Sequence, residues 1–161
     1  MVVVFLLNDQ QGDVRMNWHK ETIELATHGK GLYTFTERVN AQLGAWNVRE
    51  GMCFLFCAHT SASLTINENY DPTAQADLEE SLEKLVPDQL DWYSHDAEGS
   101  DDATSHIRTM LTNSSLTIPI DDGKLTLGTW QGIYLFEHRS HINRRKIWLR
   151  VLDMSITTPT P

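Results

Sequence analysis

The chain is predicted to fold as α+β, mainly β: a single-domain sandwich with two or three short helices. Three observations predict this. Apolar residues alternate or run continuously between turn residues, the period-2 pattern of strands. Ile120-Asp121-Asp122-Gly123-Lys124 carries the Asp-Gly pair that supplies the positive φ angles of a tight hairpin. A length of 161 residues suffices for one domain with a proper core and is too short for two ordinary ones.

Taken in order, the predicted strands are Lys20 to Thr27, Gly51 to Ala58, Ala62 to Asn67, Ser115 to Ile120, Lys124 to Leu127, Gly132 to His138 and Lys146 to Ser155. The helices interrupt them. Thr36 to Trp46 places Val39, Leu43 and Trp46 on one stripe. Asp71 and Pro72 open the second as N-cap and N1, and Ala74, Leu78, Leu82 and Leu85 follow helical spacing until Pro87. The third runs from Asp101 or Asp102 to Thr112, with Ile107, Met110 and Leu111 on its apolar side and His106 beside that stripe. Residues 1 to 15 read as an N-terminal extension upstream of the native start, 16 to 156 as the domain, and 157 to 161 as a tail.

Charge narrows the partners. With 22 acidic against 13 basic residues the formal charge is -9, which opposes nucleic acid and anionic lipid surfaces. Arg144-Arg145-Lys146 is the only dense basic run and reads as a solvated face before a strand. The Val2 to Leu7 apolar run is too short to span a bilayer, and its flanks are not those of a signal peptide. Cys53 and Cys57 lie four apart on one predicted strand, about 13 Å between Cα atoms and beyond disulfide reach. They are predicted to be reduced core thiols, which fits a cytoplasmic protein.

Polar chemistry collects in three blocks near strand ends, where sites tend to be built. These are His59-Thr60-Ser61-Ala62-Ser63, Tyr93-Ser94-His95-Asp96 through His106-Ile107-Arg108, and Leu127-Gly128-Thr129-Trp130-Gln131-Gly132. Together with Asn67-Glu68, Asp71-Pro72, Ser115-Leu116-Thr117-Ile118-Pro119 and Glu137, in order and spacing over about Lys20 to Met154, they resemble the YjbQ family, also called UPF0047 or the secondary thiamine-phosphate synthase family. One departure is visible. Many members carry Asn and Asp four and two residues before the helix histidine, where this chain has Asp102 and Thr104.

The resemblance implies a strand-rich sandwich, a homotrimer with sites near subunit boundaries, and a weak activity joining a pyrimidine diphosphate to a thiazole phosphate. The candidate catalytic residues are His59, His95, His106 and Glu137. Glu137 shares a strand face with Leu135 and Ile133, so it points inward and needs a partner. Histidines and a carboxylate either hold a divalent ion or act as general acid and base. The expected metal set is His59, His106 and Glu137, for Mg²⁺ or Zn²⁺. For a small phosphorylated metabolite, Thr60, Ser61 and Ser63 are expected to cradle phosphate and Arg108 or Arg139 to offset its charge. Gln131 either touches ligand or satisfies a strand end, and Glu68 is either a site carboxylate or a pre-helix cap. A serine nucleophile is not expected, since no Gly-x-Ser-x-Gly elbow surrounds Ser61 or Ser63. The alternatives to the synthase reading are a metal- or metabolite-binding homotrimer and a metal-assisted phosphohydrolase.

Overall fold

The computed structural model describes residues 16–155. The predicted extension over 1–15 and the tail over 157–161 lie outside the described residues. In chain order the elements are β1 (Asn17–Thr27), β2 (Gly31–Thr34), α1 (Thr36–Trp46), β3 (Gly51–Cys57), β4 (Ala62–Glu68), α2 (Pro72–Leu85), α3 (Asp102–Leu111), β5 (Ser115–Asp121), β6 (Lys124–Leu125), β7 (Gln131–Glu137) and β8 (Asn143–Asp153). Two antiparallel sheets result, one ordered β1-β8-β3-β5-β6 and the other β2-β7-β4. The predicted mainly-β fold with three helices is the observed one.

Alternation decides what each sheet buries. Ile23, Cys53, Leu55, Ile118, Ile120, Ile147, Leu149 and Val151 of the larger sheet meet Leu64, Ile133 and Leu135 of the smaller one. Val39 and Leu43, one helical turn apart on α1, join this core. Each such side chain contributes about 1.5–3 kcal/mol by leaving water. Cys53 and Cys57 are free and buried, and burial pushes their thiols up to about 12 and about 11. The hairpin forms as its Asp-Gly pair requires: Asp122 and Gly123 both have positive φ, and Asp121 pairs with Lys124.

Asp71 caps α2 by accepting the Thr73 amide at 2.8 Å, with Pro72 at the first helical position. Glu68 does not cap; it closes β4 opposite Gln131. Helix α3 differs from its predicted orientation. Met110 and Leu111 are exposed, while Asp102, Thr104, Ser105 and Arg108 are buried. Polar partners compensate these groups, so hydrogen bonding rather than apolar burial docks this helix. The short strand β2 was not among the predicted strands; it adds to the edge of β7 through Gly31 opposite Glu137.

The topology concentrates crossings at one end of the sandwich. The segments 28–30, 58–61 and 138–142 each pass from one sheet to the other. Register aligns their ends, because Gly31 and Ala62 both pair with Glu137 while Thr27 pairs with Asn143.

Candidate metal centre

Helix α3 begins at this crossing end. Asp102 and His106 stand four residues apart on it, a spacing that puts two side chains on one face. His95 approaches from the preceding segment, where its carbonyl accepts the Ala103 amide at 3.1 Å. Its Nε2 lies 3.4 Å from Asp102 Oδ2, and His106 Nε2 lies 3.4 Å from Asp102 Oδ1. Candidate ligand atoms of the three residues all fall within 4.8 Å of one another. The Asp102 side chain is 2% exposed, His106 38% and His95 62%, so the group has a buried carboxylate and an open outer side.

The His106 tautomer follows from its partner. Nδ1 lies 2.8 Å from the Thr60 carbonyl oxygen, which can only accept, so Nδ1 carries the hydrogen and donates it. In the neutral ring Nε2 then turns a lone pair toward a carboxylate oxygen. Two acceptors so placed repel unless a cation, a proton or a metal ion, is shared between them. The two rings thus address different oxygens of the one carboxylate, His95 facing Oδ2 and His106 facing Oδ1.

Arg139 positions the carboxylate. Its Nη1 donates to Asp102 Oδ1 at 2.6 Å and its Nη2 to the Glu98 carbonyl at 2.6 Å, while its Nε lies 3.2 Å from Asp101 Oδ1. Asp101 in turn accepts from the Ser140 amide and hydroxyl. Burial pulls the Asp102 carboxyl upward, but the Glu98 amide, Arg139 and His95 outweigh it and hold the carboxyl below its ordinary range. Asp102 is therefore an anion, anchored from behind as metal-ligating carboxylates are.

The inward placement of Glu137 is observed, and its partner is Arg145. Glu137 is fully buried and accepts from Arg145 Nε at 2.6 Å, from Thr27 at 2.8 Å and from the Arg139 amide at 3.0 Å. Burial works against ionisation here too, and the Arg145, Arg139 and Thr27 donors outweigh it, keeping the carboxyl below its usual range. Its oxygens are thus committed within the protein. Of the expected ligands His59, His106 and Glu137, only His106 belongs to the group that the fold assembles. His59 instead accepts the Lys146 amide at Nε2, 2.7 Å away.

The expected phosphate contacts are dispersed. The Thr60 carbonyl holds His106, while the Ser61 carbonyl accepts the His138 amide at 3.3 Å and Arg145 Nη2 at 3.4 Å. Ser63 is buried with its hydroxyl 2.9 Å from His138 Nε2. Arg108 is buried and donates to the Val86 carbonyl at 3.2 and 2.8 Å, and Arg139 gives Nη1 to Asp102 and Nη2 to the Glu98 carbonyl. Gln131 closes its own turn by accepting the Gly128 amide at 2.8 Å. It begins the strand that Glu137 ends, about 20 Å away along β7. The candidate ligand that the sequence did not single out is Asp102. Its signal was present as the Asp102-x-x-x-His106 spacing, but its anchor Arg139 is distant in sequence.

The chain is thus a two-sheet antiparallel α+β protein with an open His–Asp–His group at its crossing end. The chain belongs to the UPF0047 YjbQ-like family, whose model, described as UPF0047 protein YjbQ-like, matches residues 21–154. A UPF0047 protein from Synechocystis is 44% identical over 133 residues, 83% of this chain and 90% of its own. The UPF0047 protein YjbQ of Salmonella typhimurium is 47% identical over 131 residues, 81% of this chain and 94% of its own. Among solved structures, a conserved hypothetical protein from Thermus thermophilus superposes with a TM-score of 0.74 at 32% identity, covering 82% of this chain and 99% of that one. A YbjQ-like protein of unknown function from Sulfolobus solfataricus gives 0.78 at 24% identity over 86% and 99%, a likeness of fold. These descriptions name no activity.

Proposed function

We propose that the chain is a divalent-metal protein acting on a small phosphorylated metabolite, with His95, Asp102 and His106 as the metal ligands. The observation that carries this reading is the His106 ring, whose Nδ1 is committed to Thr60 while Nε2 faces a buried, ionised carboxylate. A bound divalent ion supplies a Lewis acid for phosphate or diphosphate oxygens. The chain's own residues do the rest. Thr60 fixes the His106 tautomer, Arg139 and the Glu98 amide orient Asp102, and the exposed His95 edge leaves room for substrate. Departure of diphosphate, required in the thiamine-phosphate synthase reaction that the family resemblance implies, is the kind of step such a centre serves.

A second reading, a metal- or metabolite-binding homotrimer, is favoured by α2. This 14-residue helix buries none of its residues, and Leu78, Leu82 and Leu85 line an apolar groove of about 260 Å³ against Leu32 and Phe136. An amphipathic helix with so little of its stripe covered is suited to packing on another subunit.

Metal analysis of the purified protein, with calorimetry against Mg²⁺, Zn²⁺ and Mn²⁺, tests the first reading. Stoichiometric metal that disappears in His106→Ala supports it, and equal metal content in both proteins counts against it. Diphosphate release from the paired pyrimidine and thiazole substrates separates a synthase from a phosphohydrolase, which frees inorganic phosphate from simple esters. Tight binding with background turnover favours the binding protein. Sedimentation at two concentrations tests the trimer, and a persistent monomer opposes it.

A further inference from the structure

The outer face of the β1-β8-β3-β5-β6 sheet takes no part in the core. The helices pack elsewhere, α1 against β6 and β7, α2 against β2 and α3 against β4. On an open antiparallel face, alternation ordinarily turns polar residues outward. Here Trp18 of β1, Phe54 and Phe56 of β3 and Trp148 of β8 point outward instead. Trp18, Phe56 and Trp148 are 51, 42 and 44% exposed. The rings form two neighbouring pairs: the centroids of Trp18 and Phe54 are 6.0 Å apart, those of Phe56 and Trp148 5.4 Å. Single surface aromatics need no explanation, but four gathered on one face mark a contact surface.

Register interleaves cations with these rings. Lys20 lies opposite Arg150, and Arg150 opposite Phe54; in the next outward row Trp148 lies opposite Phe56. Arg150 Nη1 donates to the Glu21 and Leu149 carbonyls at 2.9 and 2.8 Å, which holds the guanidinium 5.8 Å from the Trp148 ring centroid. Its Nη2 has no partner among the described residues. The basic run divides here, because Arg145 turns inward to Glu137 while Arg144 and Lys146 stay on the outer face. The outward positions of β1 and β8 thus carry Lys20, Arg144, Lys146 and Arg150 against Glu24 alone, in a chain of formal charge -9. Positive charge gathers on this face against the sign of the whole.

Rings alternating with cations suit a strand of unpaired nucleotides, whose bases stack on aromatic side chains and whose phosphates take the charges. A duplex fits less well, since its bases are already stacked on one another and this face presents no helix to enter a groove. A lipid surface needs rings that project to insert, whereas these are about half covered by their neighbours. A second copy meeting this face with its own would set like charges together. We propose that the outer face of the five-stranded sheet is a docking surface for single-stranded nucleic acid. Bases stack on Trp18, Phe56 and Trp148, and phosphates meet Lys20, Lys146 and Arg150. The surface shares no residue with the His95, Asp102 and His106 group, so it stands or falls apart from the metal reading.

The test is fluorescence anisotropy of the full chain with labelled oligo(dT) and oligo(U) of about 12 nucleotides, within the span of known stacking platforms. Native protein is expected to bind at about 50 mM salt and to lose about 20-fold in affinity at about 200 mM, the slope for roughly three phosphates on a single strand. A preference for oligo(U) assigns the strand as RNA, and a preference for oligo(dT) as DNA. Trp148→Ala should weaken binding about fivefold or more, the scale of one stacked base. Lys146→Glu should weaken it as well, whereas Lys84→Glu, the same charge change on helix α2, should leave it unaltered. Thermal melts confirm that each variant is folded. No binding by native protein at the lower salt overturns the proposal, as do equal losses in Lys84→Glu and Lys146→Glu, undiminished affinity in Trp148→Ala, or a duplex of the same length bound as tightly. Capture by vesicles of phosphatidylserine and phosphatidylcholine in place of the oligonucleotides makes this a lipid surface, and a sedimentation coefficient that falls in Trp148→Ala makes it a contact between copies; either result also overturns it.

Discussion

His106 and Thr60 are joined by one hydrogen bond, 2.8 Å from ring Nδ1 to carbonyl oxygen, and that bond ties helix α3 to the crossing between the two sheets. It does two jobs. It fixes the distance between a helix and a loop that are 46 residues apart in sequence, and it dictates which ring nitrogen faces Asp102.

Asp102→Asn tests the charge in that arrangement. Asparagine keeps the side chain's size but removes the anion, so metal affinity should fall by more than the roughly 10- to 100-fold that loss of an outer partner costs. Calorimetry with Zn²⁺ measures it, with thermal melting as the control for folding. An unchanged affinity removes Asp102 from the ligand set.

Arg145→Met leaves the buried Glu137 carboxylate without its main partner. Removing one member of such a pair costs about 3–5 kcal/mol, because the other remains as an uncompensated charge. Urea unfolding should show this loss. A cost below about 1 kcal/mol would mean that Thr27 and the Arg139 amide suffice, at the level ordinary hydrogen bonds supply.

Acid should destabilise the fold in two stages. Burial, followed by the Arg108 charge, pushes His138 from its ordinary 6.5 to about 3, so the unfolded chain binds a proton there that the folded chain refuses. That contribution is complete above about pH 6.5 and is lost as pH falls toward 3. Glu137 and Asp102 are also held below their ordinary values of 4.5 and 3.8; their contributions are complete above those values and are lost as pH falls through the lowered folded values. Urea midpoints from pH 7.5 to 3 should decline from near pH 6.5 and steepen below about 4.5. In His138→Gln the first decline should vanish and the second remain.

Gly51→Ala probes the strand junction. Gly51 has a φ of +155°, and a Cβ there would sit 2.1 Å from the Leu152 carbonyl oxygen. Backbone cannot yield cheaply at that contact between paired strands β3 and β8. The substitution should cost more than about 1 kcal/mol, the opposite of the usual gain when glycine is replaced. Denaturant midpoints of the two proteins settle the sign.

How legible each feature was depends on how local its cause is. The Asp122-Gly123 hairpin, the Asp71 cap and the α1 pair Val39 and Leu43 follow from neighbours within four residues, and all appear as read. Strand β2 has only four residues and exists because β7, a hundred residues later, offers an edge. Helix α3 misled for the same reason. Its Ile107, Met110 and Leu111 look like a core stripe, whereas Arg139 and the Val86 carbonyl draw its polar side inward. The inward direction of Glu137 was visible in strand alternation. That Arg145, eight residues on, would take the carboxylate was not, because their meeting depends on the turn between β7 and β8. His95 and His106 stood in one conspicuous block, yet the carboxylate between them was legible only as a spacing.

An anomalous difference map at the zinc edge, from crystals grown with Zn²⁺, would show whether His95, Asp102 and His106 hold a metal ion. A peak is expected about 2.0–2.2 Å from His95 Nε2, His106 Nε2 and the Asp102 carboxylate, with His106 Nδ1 still on the Thr60 carbonyl. A fully occupied zinc elsewhere and none between these three residues would contradict that ligand set.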